Sequence, residues 1–315
     1  YSDCTITVTD SAGNVSNTLT ITSFIVDTTA ATLLEVTPVT TPTNDPTPDY
    51  TFSTSAAGAI TYGGSCSSST TSATTDNNTI TLVSLSDDTY SDCTITVTDN
   101  ASNGVTLNIS SFVVDTTAPT VSSVSSSTDN DSYKINGNIT VTVTFNENVI
   151  VDNSSGNPRI QLETGTNDRY ANYVSGNSTS ILSFLYTVQS GDNTTDLDYT
   201  STSSLSANNG TIQDNATNNA NLTLLAPGSS GSLGANKDIV VDTTAPTVSS
   251  VYPTDNQSGV LITTDNISVT FSEAMDNTSV TTNTDNTICY GSLQLSSDNF
   301  SSCLQMSSYP SSSNS

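Results

Sequence analysis

Histidine and tryptophan are absent from this 315-residue chain, and only four residues are basic against 30 acidic ones, a formal charge of −26. Each absence removes a class of chemistry. Without histidine there is no imidazole for general acid–base catalysis, no Ser-His-Asp or Cys-His triad, and no nitrogen ligand of the kind zinc prefers. So few lysines and arginines cannot neutralise phosphates, which sets nucleic acid aside as a partner, and an anionic membrane surface would repel the chain. Glycoside hydrolysis needs two carboxylates at a defined separation, usually beside aromatic rings. Aromatics are 6% of the residues and no two acids are singled out by spacing. No apolar run reaches the length of a membrane-spanning helix, so no membrane insertion is expected in this segment. Taken together, no enzymatic activity is expected.

What the chain does have is repetition. Tyr-Ser-Asp-Cys-Thr-Ile-Thr-Val-Thr-Asp occurs at 1–10 and at 90–99, and Val-Val-Asp-Thr-Thr-Ala-Pro-Thr-Val-Ser-Ser-Val at 113–124 and at 240–251. The Val-Asp-Thr-Thr-Ala run at 26 recurs at 114, a step of 88, and the Asp-Thr-Thr-Ala at 115 recurs at 242, a step of 127. These steps imply modules of two lengths strung in tandem, each meeting its neighbours. The shared Val-Asp-Thr-Thr-Ala-Pro-Thr reads as the last strand of one module. It runs into a proline that fixes φ and bars a helix, then into the first strand of the next. The expected divisions are 1–30, the C-terminal part of a truncated module; 31–117, a complete one; 118–244, a longer one; and 245–315, the N-terminal part of a third type, incomplete.

Hydrophobic residues are 33% of the chain, low enough to raise disorder as an option. Alternation decides against it. Cys93, Ile95 and Val97 share one parity and Thr94, Thr96 and Thr98 the other; Ile139 to Phe145 repeats the pattern, as do Ile267, Val269 and Phe271. Period two with β-branched residues is a half-buried antiparallel strand. Asn103-Gly104, Asn136-Gly137 and Asn209-Gly210 punctuate the runs as turns, and no helical period is present. The expected fold is all-β: tandem β-sandwich modules with thin cores.

The chain has five cysteines, and the repeat explains the odd count. Cys4 occupies the position of Cys93, whose expected partner Cys66 lies 27 residues upstream; the counterpart for Cys4 would fall before residue 1. Cys66–Cys93 and Cys289–Cys303 are the expected bridges, and with no Cys-x-x-Cys a metal reading is poor. Loops of this size stabilise by roughly 3–4 kcal/mol through the unfolded state. Disulfides imply an oxidising, extracellular or cell-surface setting.

Leu85-Ser-Asp-Asp-Thr-Tyr90 with the following Cys-Thr-Ile-Thr-Val-Thr-Asp, and Asp10-Ser-Ala-Gly-Asn14 in the first copy, resembles the penultimate strand and turn of bacterial Ig-like repeats. Ile139–Phe145, Gly191-Asp192, Asp196-Leu-Asp198-Tyr199 and Gly231-Ser-Leu-Gly-Ala-Asn-Lys237 resemble another repeat of the same large surface proteins. Val269-Thr-Phe-Ser-Glu-Ala-Met-Asp276 is similar to the Ig-like domain of S-layer proteins and adhesins. The resemblance implies Ig-like sandwiches in a secreted or surface-anchored bacterial protein. One departure matters: Tyr90 and Cys93 are three residues apart where antibody domains place the corner tyrosine two before the cysteine, so the bridge need not span the sheets.

Calcium is the expected cofactor, since hard cations take several carboxylate and carbonyl oxygens and such sites stiffen the joints of Ig-like arrays. Candidate ligands are Asp115 and Asp242 in the joints, Asp129 and Asp131 in the loop after a first strand, and Glu147 and Glu273 after equivalent strands. Their ordinary reading is solvated loop charge. Asp129-Asn-Asp131 lacks the glycine and final glutamate of an EF-hand. The Thr-x-Thr ladders could bind carbohydrate but read first as strand formers. Asn138-Ile-Thr140 and Asn266-Ile-Ser268 have the spacing of glycan acceptors and arise readily in so Asn- and Ser-rich a chain. Lys134 and Lys237 could cross-link to asparagine if buried, though both are expected in solvent; Arg159 and Arg169 read as surface charge.

The expected role is a stalk or fibre segment of a very long bacterial secreted or surface protein, its partners being neighbouring modules of the same chain or like subunits. The alternatives are a filament subunit completed by strand addition and a module that binds a glycan or surface.

Overall fold

A computed structural model describes residues 1–259, 267–276, 278–285, 288–306 and 311. The described residues are nearly all strand and loop, with one short helix, Leu233–Asn236, whose first turn is capped by the Ser232 hydroxyl. Two units are distinguished, Tyr1–Asp242 and Thr243–Ser315.

The first unit holds two separate hydrophobic cores. One is built by residues 39–114. Strand Asp49–Thr54 sits between Leu33–Thr37 and Asp76–Thr81 in one sheet. Gly104–Asn108, Thr94–Thr98, Gly58–Gly63 and Ser72–Ala73 form the facing sheet in that order. The alternation is used as expected: Tyr50, Phe52, Ile95 and Val97 are fully buried, and Thr94, Thr96 and Thr98 stay partly exposed. Each such side chain contributes about 2 kcal/mol of hydrophobic stabilisation. Cys66 and Cys93 are joined, with Cα atoms 5.2 Å apart. Because Cys66 follows Gly58–Gly63 and Cys93 precedes Thr94–Thr98, the bridge ties adjacent strands of one sheet. The Tyr90 hydroxyl donates to the Ser86 carbonyl at 2.9 Å, closing the corner beneath it.

The second core lies between residues 124 and 241. Its main strand, Asn138–Asp152, pairs through its first half with Val121–Ser126 and Thr179–Thr187. Its register breaks between Thr144 and Val149, and its far end pairs with Thr211–Gln213. Ile139, Val141, Val143 and Phe145 all point into the core. One charge does too: Asp192, fully buried, takes the Arg169 Nε–H at 2.8 Å, the Tyr186 hydroxyl at 2.6 Å and the Gln189 N–H at 2.8 Å. Arg169 is therefore the partner of a buried carboxylate and not simple surface charge. Arg159 lies over the Tyr170 ring, 4.1 Å from its centre. Lys237 is half-buried and donates to the Thr128 carbonyl at 3.1 Å, so it too departs from the solvent-exposed reading, while Lys134 is exposed.

Residues 1–30 add a hairpin, Thr5–Ile6 with Leu19–Thr20, and no buried core. Ile6 and Val8 are 47% and 65% exposed where their counterparts Ile95 and Val97 are at 0%. Cys4 is unpaired.

In the second unit Val248–Tyr252 pairs with Ser268–Phe271, and Cys289 is joined to Cys303 with Cα atoms 5.1 Å apart. The alternation of Ile267, Val269 and Phe271 gives weaker burial than at 139–145. Ile267 is 45% exposed, and this strand belongs to a two-stranded sheet with no packed hydrophobic cluster among the described residues.

Candidate functional site

The joint Val114-Asp-Thr-Thr-Ala-Pro-Thr120 is where charged side chains converge. Strand Phe112–Val114 buries Phe112 and Val114, and the chain then passes alongside Thr43, whose carbonyl takes the Asp115 N–H at 2.9 Å. From the preceding sandwich, the Asp87 carboxylate accepts the Thr116 N–H at 2.9 Å and the Thr116 and Thr117 hydroxyls at 2.7 and 2.6 Å. The Thr117 hydroxyl, and then the two Thr116 donors, hold the Asp87 carboxyl below the usual range. Beyond the proline, the Thr120 N–H donates to the Asn146 side chain at 2.7 Å and the Asn221 N–H to the Pro119 carbonyl at 2.8 Å.

The register break in Asn138–Asp152 turns Glu147 toward this joint. A bulge of this kind lets one strand change partners and re-aims the side chains within it. The third participant, Asp214, sits in the loop Asp214-Asn-Ala-Thr-Asn218 and is 3% exposed. Its two oxygens accept the Asn218 backbone and side-chain N–H groups, each at 2.8 Å. One carboxylate oxygen each from Asp115, Glu147 and Asp214 lies within 4.8 Å of the other two. Burial, and then the charges of Asp115 and Asp214, raise the Glu147 carboxyl above its ordinary value. Three hard oxygen donors with no nitrogen or sulfur among them suit calcium rather than zinc or copper; carbonyls and waters complete such a shell.

The other candidate acids are elsewhere. Asp129 and Asp131 lie at the opposite end of the same sandwich, where Ser126 pairs with Val141 while Val121 pairs with Phe145 beside the joint. There the Asp129 carbonyl accepts the Tyr133 hydroxyl at 2.9 Å and the Asp131 carbonyl accepts the Val240 N–H at 3.0 Å. Asp242 ends strand Val240–Asp242 in the first unit, and Glu273 is exposed in the second. At the earlier joint the Ser55 hydroxyl takes the Thr32 N–H at 2.9 Å as Asn146 takes that of Thr120, but the next residue is Ala56 where the later joint has Glu147. No second carboxylate triad of this kind occurs among the described residues.

Asp214 was not among the sequence candidates, although a signal existed: Asp214-Asn-Ala-Thr-Asn218 repeats the Asp-x-Ala-x-Asn spacing of Asp10-Ser-Ala-Gly-Asn14. The threonine ladders are largely self-satisfied, Thr51 bonding to Thr79 at 2.8 Å and Thr96 to Thr106 at 2.7 Å across strands. Asn138 accepts the Thr187 hydroxyl at 2.8 Å. Asn266 lies outside the described residues.

Residues 242–302 match a bacterial Ig-like domain. No curated protein matches the chain.

Proposed function

We propose that the chain is a non-enzymatic spacer, a stalk segment of a long bacterial secreted or cell-surface protein, in which tandem sandwiches set distance. The supporting observation is that the two cores share no residue and are linked by a seven-residue joint hydrogen-bonded to both neighbours. The Ig-like match suits a surface or structural module, and the two disulfides suit an oxidising exterior. Adhesion through a terminal domain elsewhere in the parent protein fits this role; a filament built by strand addition is the rival. Duplicating residues 31–117 within the chain tests it. A spacer lengthens by one fixed increment per added copy, as read by small-angle scattering or electron microscopy, whereas a chain that folds back on itself does not.

Calcium belongs to this proposal at one place, the Asp115–Glu147–Asp214 joint, where it would neutralise three converging carboxylates. Removing it with a chelator is then expected to lower the melting temperature of the 121–242 sandwich. An unchanged transition removes calcium from the reading and leaves the spacer intact.

A further inference from the structure

We infer that the Asp-x-Ala-x-Asn loop is a latch: its asparagine grips the main-chain carbonyl of the aspartate in the joint ahead of its own sandwich and so fixes how that sandwich follows the joint. The Asn103 side-chain amide donates to the Asp99 carboxylate at 3.0 Å and to the Asp27 carbonyl at 3.1 Å. The Asn218 amide donates to the Asp214 carboxylate at 2.8 Å and to the Asp115 carbonyl at 2.7 Å. Asp27 and Asp115 hold the same place in Val-Asp-Thr-Thr-Ala. The two loops differ only at the fourth residue, Ser102 against Thr217, and the third copy, Asp10-Ser-Ala-Gly-Asn14, keeps the Asp, Ala and Asn positions alone.

The chemistry explains why asparagine ends the loop. Its NH2 carries two donors. One is held by the loop aspartate, which also accepts the asparagine backbone N–H, at 2.9 Å in Asp99 and 2.8 Å in Asp214. That pair of bonds fixes the amide plane, and the second N–H is left aimed at the joint. A carboxylate at this position would set oxygen against the carbonyl oxygen. The turn that makes this possible puts the preceding residue at positive φ, 71° at Ser102 and 72° at Thr217. Non-glycine residues avoid that region, and its recurrence at Ser102 and Thr217 marks a position held for a purpose. The third copy, Asp10–Asn14, orders its asparagine in the same way, with Asn14 donating to Asp10 at 2.9 Å.

At the Asp115 joint the latch completes a two-sided grip. Asp87 of the preceding sandwich holds the Thr116 and Thr117 hydroxyls, and Asn218 of the following one holds the Asp115 carbonyl. The latch concerns the joint itself and goes beyond the spacer reading, since it holds whatever the array is for.

Spin labels report it directly. In the full chain with Cys4→Ser, which removes the unpaired thiol, one label pair at Asn77 and Asn172 spans the Asp115 joint and a second pair at Ser122 and Asn172 lies within one sandwich. Asn218→Ala is expected to widen the distance distribution across the joint roughly twofold while leaving the pair within the sandwich unchanged, since of the two side-chain bonds lost one joins the segments and the other, to Asp214, lies within a single loop whose backbone bond to Asp214 is kept. Asn103→Ala, acting at the other joint, is expected to change neither. An unchanged width across the joint in Asn218→Ala overturns the latch. So does equal broadening of both pairs, because the asparagine would then be holding its own sandwich together.

Discussion

Replacing Glu147 with glutamine is expected to stabilise the sandwich in which it sits, the opposite of what most substitutions do. Its carboxylate oxygen lies within 4.8 Å of one from Asp115 and one from Asp214. At that separation two like charges repel by about 1 kcal/mol at the dielectric of water and about 3 kcal/mol at an effective value of 20. For a half-buried group facing two such neighbours, neutralisation without a cation is expected to add roughly 1–2 kcal/mol, or about 3–6 °C in Tm. With calcium the order reverses. A ligand at about 100 times its Kd adds about 2.7 kcal/mol, and the glutamine chain has lost a charged donor. Scanning calorimetry of both chains, in chelator and in millimolar calcium, reads both effects. A Tm in chelator lower for Glu147→Gln than for the native chain refutes the repulsion; an undiminished calcium shift in the variant refutes the triad as the site.

Three further outcomes follow from the same structure. Arg169→Met leaves the fully buried Asp192 without its cation and is expected to cost about 3–5 kcal/mol by urea denaturation, with most of the loss recovered in Arg169→Met/Asp192→Asn. Cys66→Ala/Cys93→Ala is expected to lower the transition of residues 31–117 by roughly 3–4 kcal/mol and leave that of 121–242 in place. The two joint acids respond oppositely to pH. Glu147 is raised above 4.5 in the fold, so its repulsion weighs against folding at neutral pH and is relieved as pH falls through its folded value. Asp87 is lowered below 3.8, so its stabilisation is present above that pH and is lost as pH falls through the depressed value. In chelator, melting of 121–242 is therefore expected to rise as pH falls from neutrality through the raised Glu147 value, and this rise is expected to vanish in Glu147→Gln.

The strands were legible because their information is local. Ile139 to Phe145 and Cys93 to Val97 alternate at period two, and each lies on one face of a sheet beneath a second layer. The same alternation at Ile267 to Phe271 predicted more burial than occurs, because a strand pattern specifies a face and not what covers it. The odd cysteine was legible from the repeat, since Cys4 holds the place of Cys93, and Cys289 and Cys303 then remained as the second pair. The site was legible in part. Asp115 stood out by its place in the joint and Glu147 by following a Val-Thr-Phe run, although Glu147 lies within the long strand; Asp242 and Glu273 had the same claims, and Asp129 and Asp131 a loop of their own, without joining them. What gathers the triad is a register break in one long strand and the return of a hairpin loop 67 residues after Glu147. Neither distance is written in local composition. Asp192 stands in a Gly-Asp motif and Arg169 carries no sequence sign of a partner; their pairing depends on strands that the sequence does not order.

Stretching single molecules tests independence of the cores most directly. If each sandwich folds on its own, force is expected to release them in separate steps. Residues 121–242 should yield about 40 nm of chain at ~3.6 Å per residue, and residues 31–114 about 20 nm while the Cys66–Cys93 bridge locks its loop. After reduction the shorter step is expected to lengthen by about 10 nm and the longer one to stay as it was. A single cooperative release of the whole length, or a change in both steps on reduction, would contradict independent sandwiches and with them the spacer.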